Sequence, residues 1–301
     1  MLLRIASLSL FLGPALTLTA AAQTKPPARS VVDAGFPLAS PSAPQLVFVS
    51  NRSGTNQLYT MSADGSGVRQ LTHSPVDIGA AQWLPGGKSI LYTTIQGDQT
   101  SVYELWPDSV RTRPVRTFTG RSLQFSPARD YVLYSVGTST ASHLVRSDPR
   151  GLDQRQLTDN ASSVRDGVWS PDGRQIAYTV TNKNGTSIWV MNFDGSHPRQ
   201  VTHLTLQQGA AQMPAWSPDG QLLAFQANAT TPRTKATLWI LDLRTNAARE
   251  VLPHDNAFRD EAPTWFSDGK RLAFQSNRSG RTEVWAVDTD NSDLQQLTGR
   301  R

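Results

Sequence analysis

Short runs of alternating apolar and polar residues recur along the chain, and each run follows an aromatic residue and a tight-turn sequence. The aromatic anchors of these repeats are Trp83, Phe125, Trp169, Trp216 and Trp265, at intervals of 42, 44, 47 and 49 residues. Two of the anchored turns read Trp-Ser-Pro-Asp-Gly without change. A repeat of this length indicates the blades of a β-propeller.

Each repeat predicts four short strands. The anchor belongs to the first strand, and apolar runs such as residues 176–178 and 187–191 form the second and third. A short polar run such as residues 199–202 forms the fourth, after an Asp194-Gly195 hairpin turn in which glycine supplies a positive φ. The second and third strands are apolar on both faces, as expected for sheets that each pack between two neighbours.

The first repeat has no tryptophan anchor, but it matches the last one. Residues 36–48 align without a gap on residues 262–274, and the Ser-Asn-Arg-Ser-Gly sequence of 50–54 recurs at 276–280. We therefore predict an all-β, six-bladed propeller of four-stranded antiparallel blades, closed by packing of the first blade on the last. The predicted blades span residues 36–76, 77–118, 119–160, 161–206, 207–256 and 257–301.

The N-terminus predicts export. Arg4 precedes an apolar stretch from residue 5 to 19, and three alanines follow at 20–22. This pattern indicates a signal peptide of residues 1–22, a short linker of 23–35, and a periplasmic or secreted protein. The sequence contains no cysteine, which excludes disulfides and thiolate metal sites.

The charge balance changes this interpretation little. Lysine and arginine number 29 against 24 aspartate and glutamate, a net charge of +5. The basic residues concentrate at Arg111, Arg113, Arg116 and Arg121, with only Phe118 as an interleaved aromatic. A strand edge protected from pairing explains them better than a nucleic-acid site. We expect no nucleic-acid partner, no membrane insertion after signal cleavage, and a monomer.

The blade read from residue 169 to 202 resembles the blade motif of TolB-like propellers, and the resemblance extends over about residues 36–298. It implies a partner-binding surface in the cell envelope. Only residues 23–35 lie between the predicted signal and the first blade, so we expect the propeller without the N-terminal domain that TolB carries. Related blades also occur in prolyl-oligopeptidase-type hydrolases, so the resemblance indicates fold more than function.

Two enzymatic hypotheses follow from that resemblance. A hydrolase is not expected, because the sequence contains no Gly-x-Ser-x-Gly elbow and ends three residues after the last predicted strand. The alternative is a metal-dependent carbohydrate-active enzyme, since a TolB-like lyase family acting on oligogalacturonate holds a divalent metal with propeller histidines. His73, His203 and His254 share one repeat position after the fourth strand. That outermost position separates them widely, and we predict no metal and no cofactor.

The remaining candidate is the mouth of the axial channel. Residues just before each innermost strand vary in charge, as binding residues on a fixed scaffold do. The predicted binding set is Arg121, Arg165, Asp166, Gln212, Asp260 and Glu261. We therefore predict a non-enzymatic scaffold that binds another envelope or extracellular protein, with a peptide or glycan as the less favoured ligand.

Overall fold

A computed structural model describes residues 34–96, 99–118, 121–138, 140–159, 161–204, 209–228, 235–253 and 257–299. The predicted signal peptide and residues 23–33 of the predicted linker lie outside this part of the chain. Every regular secondary-structure element in the described ranges is a β-strand. The strands form six four-stranded units, which we call blades one to six.

The strands of the first three blades are β1 (Gly35–Ala39), β2 (Gln45–Ser50), β3 (Gln57–Ser62), β4 (Arg69–Gln70), β5 (Ile78–Trp83), β6 (Ile90–Gln96), β7 (Gln99–Trp106), β8 (Arg111–Phe118), β9 (Arg121–Phe125), β10 (Val132–Gly137), β11 (Ser142–Ser147) and β12 (Arg155–Gln156). Those of the last three are β13 (Ser163–Trp169), β14 (Gln175–Asn182), β15 (Gly185–Asn192), β16 (Arg199–Gln200), β17 (Ala210–Trp216), β18 (Leu222–Asn228), β19 (Ala236–Asp242), β20 (Ala248–Glu250), β21 (Asp260–Trp265), β22 (Arg271–Ser276), β23 (Glu283–Asp288) and β24 (Gln295–Gln296).

Within every blade the four strands pair antiparallel in sequence order. The first strands of all six blades line one central cavity, so they are the innermost strands of a six-bladed β-propeller. A single parallel pairing between Ser142 and Ser163 also joins blade three to blade four.

The core is divided among the junctions between blades. Six separate clusters of buried apolar side chains occur in the described chain, and each one combines residues of two neighbouring blades. The cluster that closes the ring packs Phe48 and Met61 of blade one on Ala273 and Val284 of blade six. Because six clusters occupy six junctions, the apolar faces of each sheet are covered on both sides.

The anchor tryptophans connect these junctions by hydrogen bonds as well as by packing. Each indole N–H donates to a backbone carbonyl in the innermost strand of the preceding blade. The four pairs are Trp83 to Leu38 at 3.0 Å, Trp169 to Gln124 at 3.3 Å, Trp216 to Val168 at 3.2 Å, and Trp265 to Ala215 at 3.1 Å. A buried tryptophan usually finds an acceptor for its N–H, and the preceding blade provides one for these four rings.

Blade three has phenylalanine at this position and replaces the missing donor. Gln82 of blade two accepts a hydrogen bond from the Phe125 N–H at 2.8 Å and donates one to the Phe125 carbonyl at 2.9 Å. The glutamine side chain thus provides the cross-blade contact that an indole provides elsewhere.

The recurring Gln-Leu-Thr or Gln-Val-Thr sequence attaches the fourth strand to the third. In four blades the threonine hydroxyl accepts a backbone N–H from the third strand. These pairs are Leu58 to Thr72, Leu144 to Thr158, Ile188 to Thr202 and Val284 to Thr298, at 2.8–3.0 Å. A fourth strand of two residues has few ladder bonds, so this side-chain bond supplements them.

Blade two departs from the short fourth strands of the other blades. Its strand β8 has eight residues and pairs with β7 along its length, with a bulge next to Pro114. Arg113 donates to the buried carboxylate of Glu104 at 2.7 Å, and the guanidinium of Arg111 lies 4.3 Å from the ring of Trp106. Through these contacts the longer edge strand β8 has interaction partners that a two-residue strand would lack.

The geometry of the anchor predicts that removing the indole ring and removing only its N–H group lower the free energy of unfolding by different amounts. Trp169 is 8% exposed and packs at the junction of blades three and four. Trp169→Ala should lower the free energy of unfolding by about 3–5 kcal/mol, as a large-to-small core change does. Trp169→Phe keeps most of the ring and loses one hydrogen bond, so about 1 kcal/mol is expected. Urea denaturation of both variants checks this, and equal losses would contradict it.

Candidate functional site

Five of the six innermost strands contain a bulge with a left-handed residue three positions before the anchor position. These residues are Phe36, Ser122, Asp166, Met213 and Ala262, with φ between 49° and 55°. At each of them the register with the second strand shifts. They lie towards the starts of the innermost strands, at the end of the channel that we call the channel mouth.

None of these residues is glycine, so each occupies a backbone region that is unfavourable for its type. The cost is about 1–3 kcal/mol for a strained residue of this kind, and such strain is concentrated at functional sites. A bulge also redirects the side chains around it. The bulge N–H groups are held from the preceding blade: Ala262 donates to Gln226 Oε1 at 3.1 Å, and Met213 donates to the Asp166 carboxylate.

Arg165 lies at the channel mouth and joins two blades. Its guanidinium donates to Gln212 Oε1 of blade five at 2.7 Å, and its Nη1 lies 3.8 Å from Asp166 Oδ2. The Arg165 side chain is 40% exposed. Three predicted site residues are therefore in contact here, and the arginine keeps an accessible charge in a fixed position.

Asp166 is the unusual member of this group. Burial raises the pKa of its carboxyl, against the opposing effect of the Arg165 charge. Within the described chain, Asp166 Oδ2 accepts no hydrogen bond. A carboxylate that is desolvated and incompletely paired is typical of a group retained for binding.

The acidic pair of blade six is divided between two environments. Asp260 is fully buried, and Arg278 donates to its Oδ2 at 2.5 Å, so its charge is not accessible at the channel mouth. Glu261 is partly exposed, contacts Arg259, and accepts a hydrogen bond from Gln275 Nε2 at 3.0 Å. Of the two, Glu261 is the one placed to contact a partner.

The other predicted residues lie apart from this group. Arg121 begins β9, but its side chain is not among those described. His73 and His203 are exposed and follow the fourth strands of blades one and four, while His254 lies outside the described residues. In the described part of the chain, no group of three or more His, Cys, Asp or Glu residues is arranged to hold a metal ion.

A polar pocket of about 380 Å³ opens beside Arg165, between blades three and four. Its lining residues are mostly small hydroxyl side chains from both blades. They are Ser122, Ser135, Val136, Gly137, Thr138, Ser142, Ser163, Arg165, Asp166 and Thr181. We call it the blade 3/4 pocket.

The opposite end of the channel has a different character. The anchor tryptophans and the prolines of the adjoining turns surround a cavity of about 490 Å³ there, with contributions from all six blades. The rings are largely buried at blade junctions, so they serve the core more than they offer a binding surface.

The sequence pattern missed the four serines of the pocket, which are Ser122, Ser135, Ser142 and Ser163. A signal existed for Ser122, because residue type varies at the third position before each anchor while the surrounding repeat is constant. Ser135 lies in the second strand, and nothing in the alternation marks it. No helix in the described residues has the length and hydropathy required to cross a membrane.

These features define a six-bladed propeller with a polar channel mouth. Residues 27–170 and 115–300 match the family model described as PD40, TolB beta propeller domain. The chain belongs to this family of TolB β-propellers.

Two curated relatives illustrate its range. An uncharacterized peptidase, YuxL of Bacillus subtilis, is 28% identical over 149 residues, which are 47% of this chain and 21% of the relative. The Tol-Pal system protein TolB of Anaeromyxobacter dehalogenans is 28% identical over 160 residues, 53% of this chain and 27% of the relative. The matched segments thus span about a quarter of each relative.

Solved structures agree on the fold. TolB from Acinetobacter baumannii superimposes with a TM-score of 0.67 at 17% identity, over 87% of this chain and 62% of that one. An oligogalacturonate lyase in complex with manganese superimposes with a TM-score of 0.58 at 13% identity, over 87% and 76%. At such identities the likeness extends to the fold alone, and it does not choose between binding and catalysis.

The environment of Asp166 predicts that this residue costs stability. Its pKa is raised above the ordinary value of 3.8, so the folded state binds the proton more tightly than the unfolded state. The contribution of Asp166 to the free energy of unfolding is therefore most favourable at low pH, and it becomes less favourable as the pH rises through the raised pKa. Asp166→Asn should therefore unfold at a higher urea concentration than the wild type at pH 7, because asparagine tolerates the same φ and carries no charge.

The comparison is repeated at pH 3, where both side chains are neutral and the difference should disappear. A variant that is less stable than the wild type at pH 7 would contradict the account of Asp166.

Proposed function

We propose that this chain is an exported, non-enzymatic scaffold of the cell envelope that binds a protein partner at the channel mouth. The observation that carries the proposal is the set of strained bulges on five innermost strands. Each bulge presents a different side chain on the same rigid backbone, and one of them, Phe36, is 49% exposed. A surface of this kind varies its contacts without changing its shape, which suits recognition of one partner.

The charges at the mouth support binding by a complementary surface. Arg165 is held by Gln212 in the next blade, and Glu261 is held by Gln275 and Arg259. Because these side chains are positioned before a partner arrives, less conformational entropy is lost on association. Opposite charges at separate places on the mouth also favour one docking orientation.

The relatives bear on this proposal without deciding it. One carries the name Tol-Pal system protein, which agrees with a role in the cell envelope, while another is named a peptidase. Binding is supported by the channel mouth itself, where cross-blade contacts hold Arg165 and the bulge at Ala262, and contacts within blade six hold Glu261.

Export is the first testable part of the proposal. The apolar stretch at 5–19 and the alanines at 20–22 are those of a cleaved signal peptide, although they lie outside the described residues. Intact-mass measurement of protein from the periplasm or medium should show a chain that begins at Gln23. An exported chain that retains Met1 would contradict cleavage after Ala22.

Partner docking is the second testable part of the proposal. In affinity capture from envelope extract followed by binding measurement, the double variant Arg165→Gln, Glu261→Gln should bind the captured protein less tightly by about 1–3 kcal/mol. Both substitutions keep hydrogen-bonding capacity and remove charge, so the folded state should change little.

The matched control is Arg174→Gln with Asp153→Asn. These two exposed residues lie in turns on the opposite face of the propeller. Their substitution removes one positive and one negative charge, as the mouth variant does. If the control weakens binding and the mouth variant does not, the partner docks on the other face and the proposal is wrong.

A further inference from the structure

Blade one repeats an arginine site of blade six. The Ser-Asn-Arg-Ser-Gly sequence of 276–280 recurs at 50–54, and both copies lie where the second strand leads into the third. In blade six, Arg278 Nε donates to Ser276 Oγ at 3.0 Å, and Arg278 Nη2 donates to Asp260 Oδ2 at 2.5 Å. The Arg278 side chain is 11% exposed, so its charge is neutralised inside the blade.

Arg52 has the same position in blade one. Its Nε donates to Ser50 Oγ at 2.9 Å, as Arg278 Nε does to Ser276 Oγ. Both guanidinium groups also lie over two aromatic rings. The rings are Phe48 (5.4 Å) and Tyr59 (4.9 Å) for Arg52, and Phe274 (5.6 Å) and Trp285 (5.3 Å) for Arg278. Two cation–π contacts and a hydrogen bond therefore hold the Arg52 guanidinium in place.

Blade one lacks the carboxylate that completes this site in blade six. Three acidic residues of blade six align with uncharged residues of blade one: Asp260 with Ala34, Glu261 with Gly35, and Glu283 with Gln57. Among the residues that the structure describes, no carboxylate pairs with Arg52 and no acceptor binds its Nη1 or Nη2. Arg52 is also exposed. Its guanidinium is thus positioned for a carboxylate that the described part of blade one does not provide.

Arg52 lines a groove of about 830 Å³ between blades six and one, which we call the blade 6/1 groove. The other charged lining residues are Asp64, Arg281 and Glu283. Glu283 is buried and paired, since Arg281 Nε lies 2.8 Å from its Oε1 and the Thr298 hydroxyl donates to its Oε2. Asp64 lies in the turn after β3, at the opposite end of that strand from Arg52. The end of the groove at Arg52 therefore has an excess of positive charge.

The shape of the groove suits an extended peptide. Its lining residues come from both ends of β3, a strand of six residues that spans roughly 20 Å. Ser66 and Gln295 add polar side chains to its wall. A guanidinium binds a carboxylate through two parallel hydrogen bonds, and in blade six that carboxylate belongs to an aspartate at the start of an extended strand. An aspartate or glutamate in an extended segment would offer Arg52 the same group.

We propose that the blade 6/1 groove binds an acidic peptide segment, and that Arg52 pairs with a side-chain carboxylate of that segment as Arg278 pairs with Asp260. The volume of about 830 Å³ is in the range of ligand-binding sites. The inference goes beyond the proposed function, because it assigns a second binding site that uses neither Arg165 nor Glu261.

Three probes test this chemistry by calorimetric titration of the full chain. Acetyl-Ala-Asp-Ala-Asp-Ala-amide should bind, and the same peptide with asparagine in place of aspartate should bind at least about tenfold more weakly, because charge-assisted hydrogen bonds are lost. Inorganic phosphate should bind at least about tenfold more weakly than the acidic peptide, because it cannot extend along the groove. Equal affinity of the two peptides, no binding of the acidic peptide at millimolar concentration, or phosphate as the tighter ligand overturns the inference.

Two variants connect the binding to the Arg52 site. Arg52→Gln should weaken binding of the acidic peptide by about tenfold or more, whereas Arg174→Gln removes the same charge from an exposed turn outside the groove and should not change it. Ala34→Asp restores the carboxylate of blade six and should weaken binding to the same extent by occupying Arg52. If Ala34→Asp does not fold, Arg52→Gln decides. Wild-type affinity in a folded Arg52→Gln protein contradicts the assignment.

A third variant tests whether the chain fills the site itself. Asp33 is next to Ala34 in the sequence and lies outside the described residues. If the acidic peptide binds Asp33→Asn but not the wild type, the chain supplies its own carboxylate and the inference is wrong. Equal affinity of the two proteins supports an open site.

The outcome is separable from that of the proposed function. If Arg52→Gln weakens peptide binding and the Arg165→Gln, Glu261→Gln variant does not, the groove is a binding site whether or not a partner docks at the channel mouth. If the mouth variant weakens peptide binding and Arg52→Gln does not, the peptide binds at the mouth and the assignment to the groove is wrong.

Discussion

The contact between neighbouring blades is the interaction on which the rest of this structure depends. A four-stranded sheet with two apolar faces cannot be stable in water unless both faces are covered, and only a closed ring covers every face. The clusters at the six junctions do this, including the one that joins blade six to blade one. The anchor indoles add a directional bond to each junction that has one, and so they set the distance between adjacent innermost strands.

That rigidity allows the channel mouth to hold strained backbone. A left-handed residue such as Asp166 or Met213 remains in place because ladder bonds on both sides and a hydrogen bond across the blade junction fix its neighbours. The same junction that stabilises the fold therefore positions the residues that we assign to binding. Stability obtained from packing offsets the cost of a desolvated carboxylate and of the bulges.

The two ends of the channel thus have different roles. Indole rings and prolines at the anchor end continue the core, whereas the charged side chains of Arg165 and Glu261 and several small hydroxyl groups lie at the mouth. Segments of this chain are similar both to a protein named for the Tol-Pal system and to one named a peptidase.

The repeat determined the architecture by itself. Anchors such as Trp169 and Trp216 recur because every junction poses the same packing problem, and the order of apolar runs follows from it. The site was predictable only in part. The grouping of Arg165, Asp166 and Gln212 was visible as polar variation at strand starts, but the burial of Asp260 against Arg278 was not. Ser135 joins Asp166 only because blade three lies against blade four, and an alternating pattern records which face a residue occupies, never which neighbour it meets.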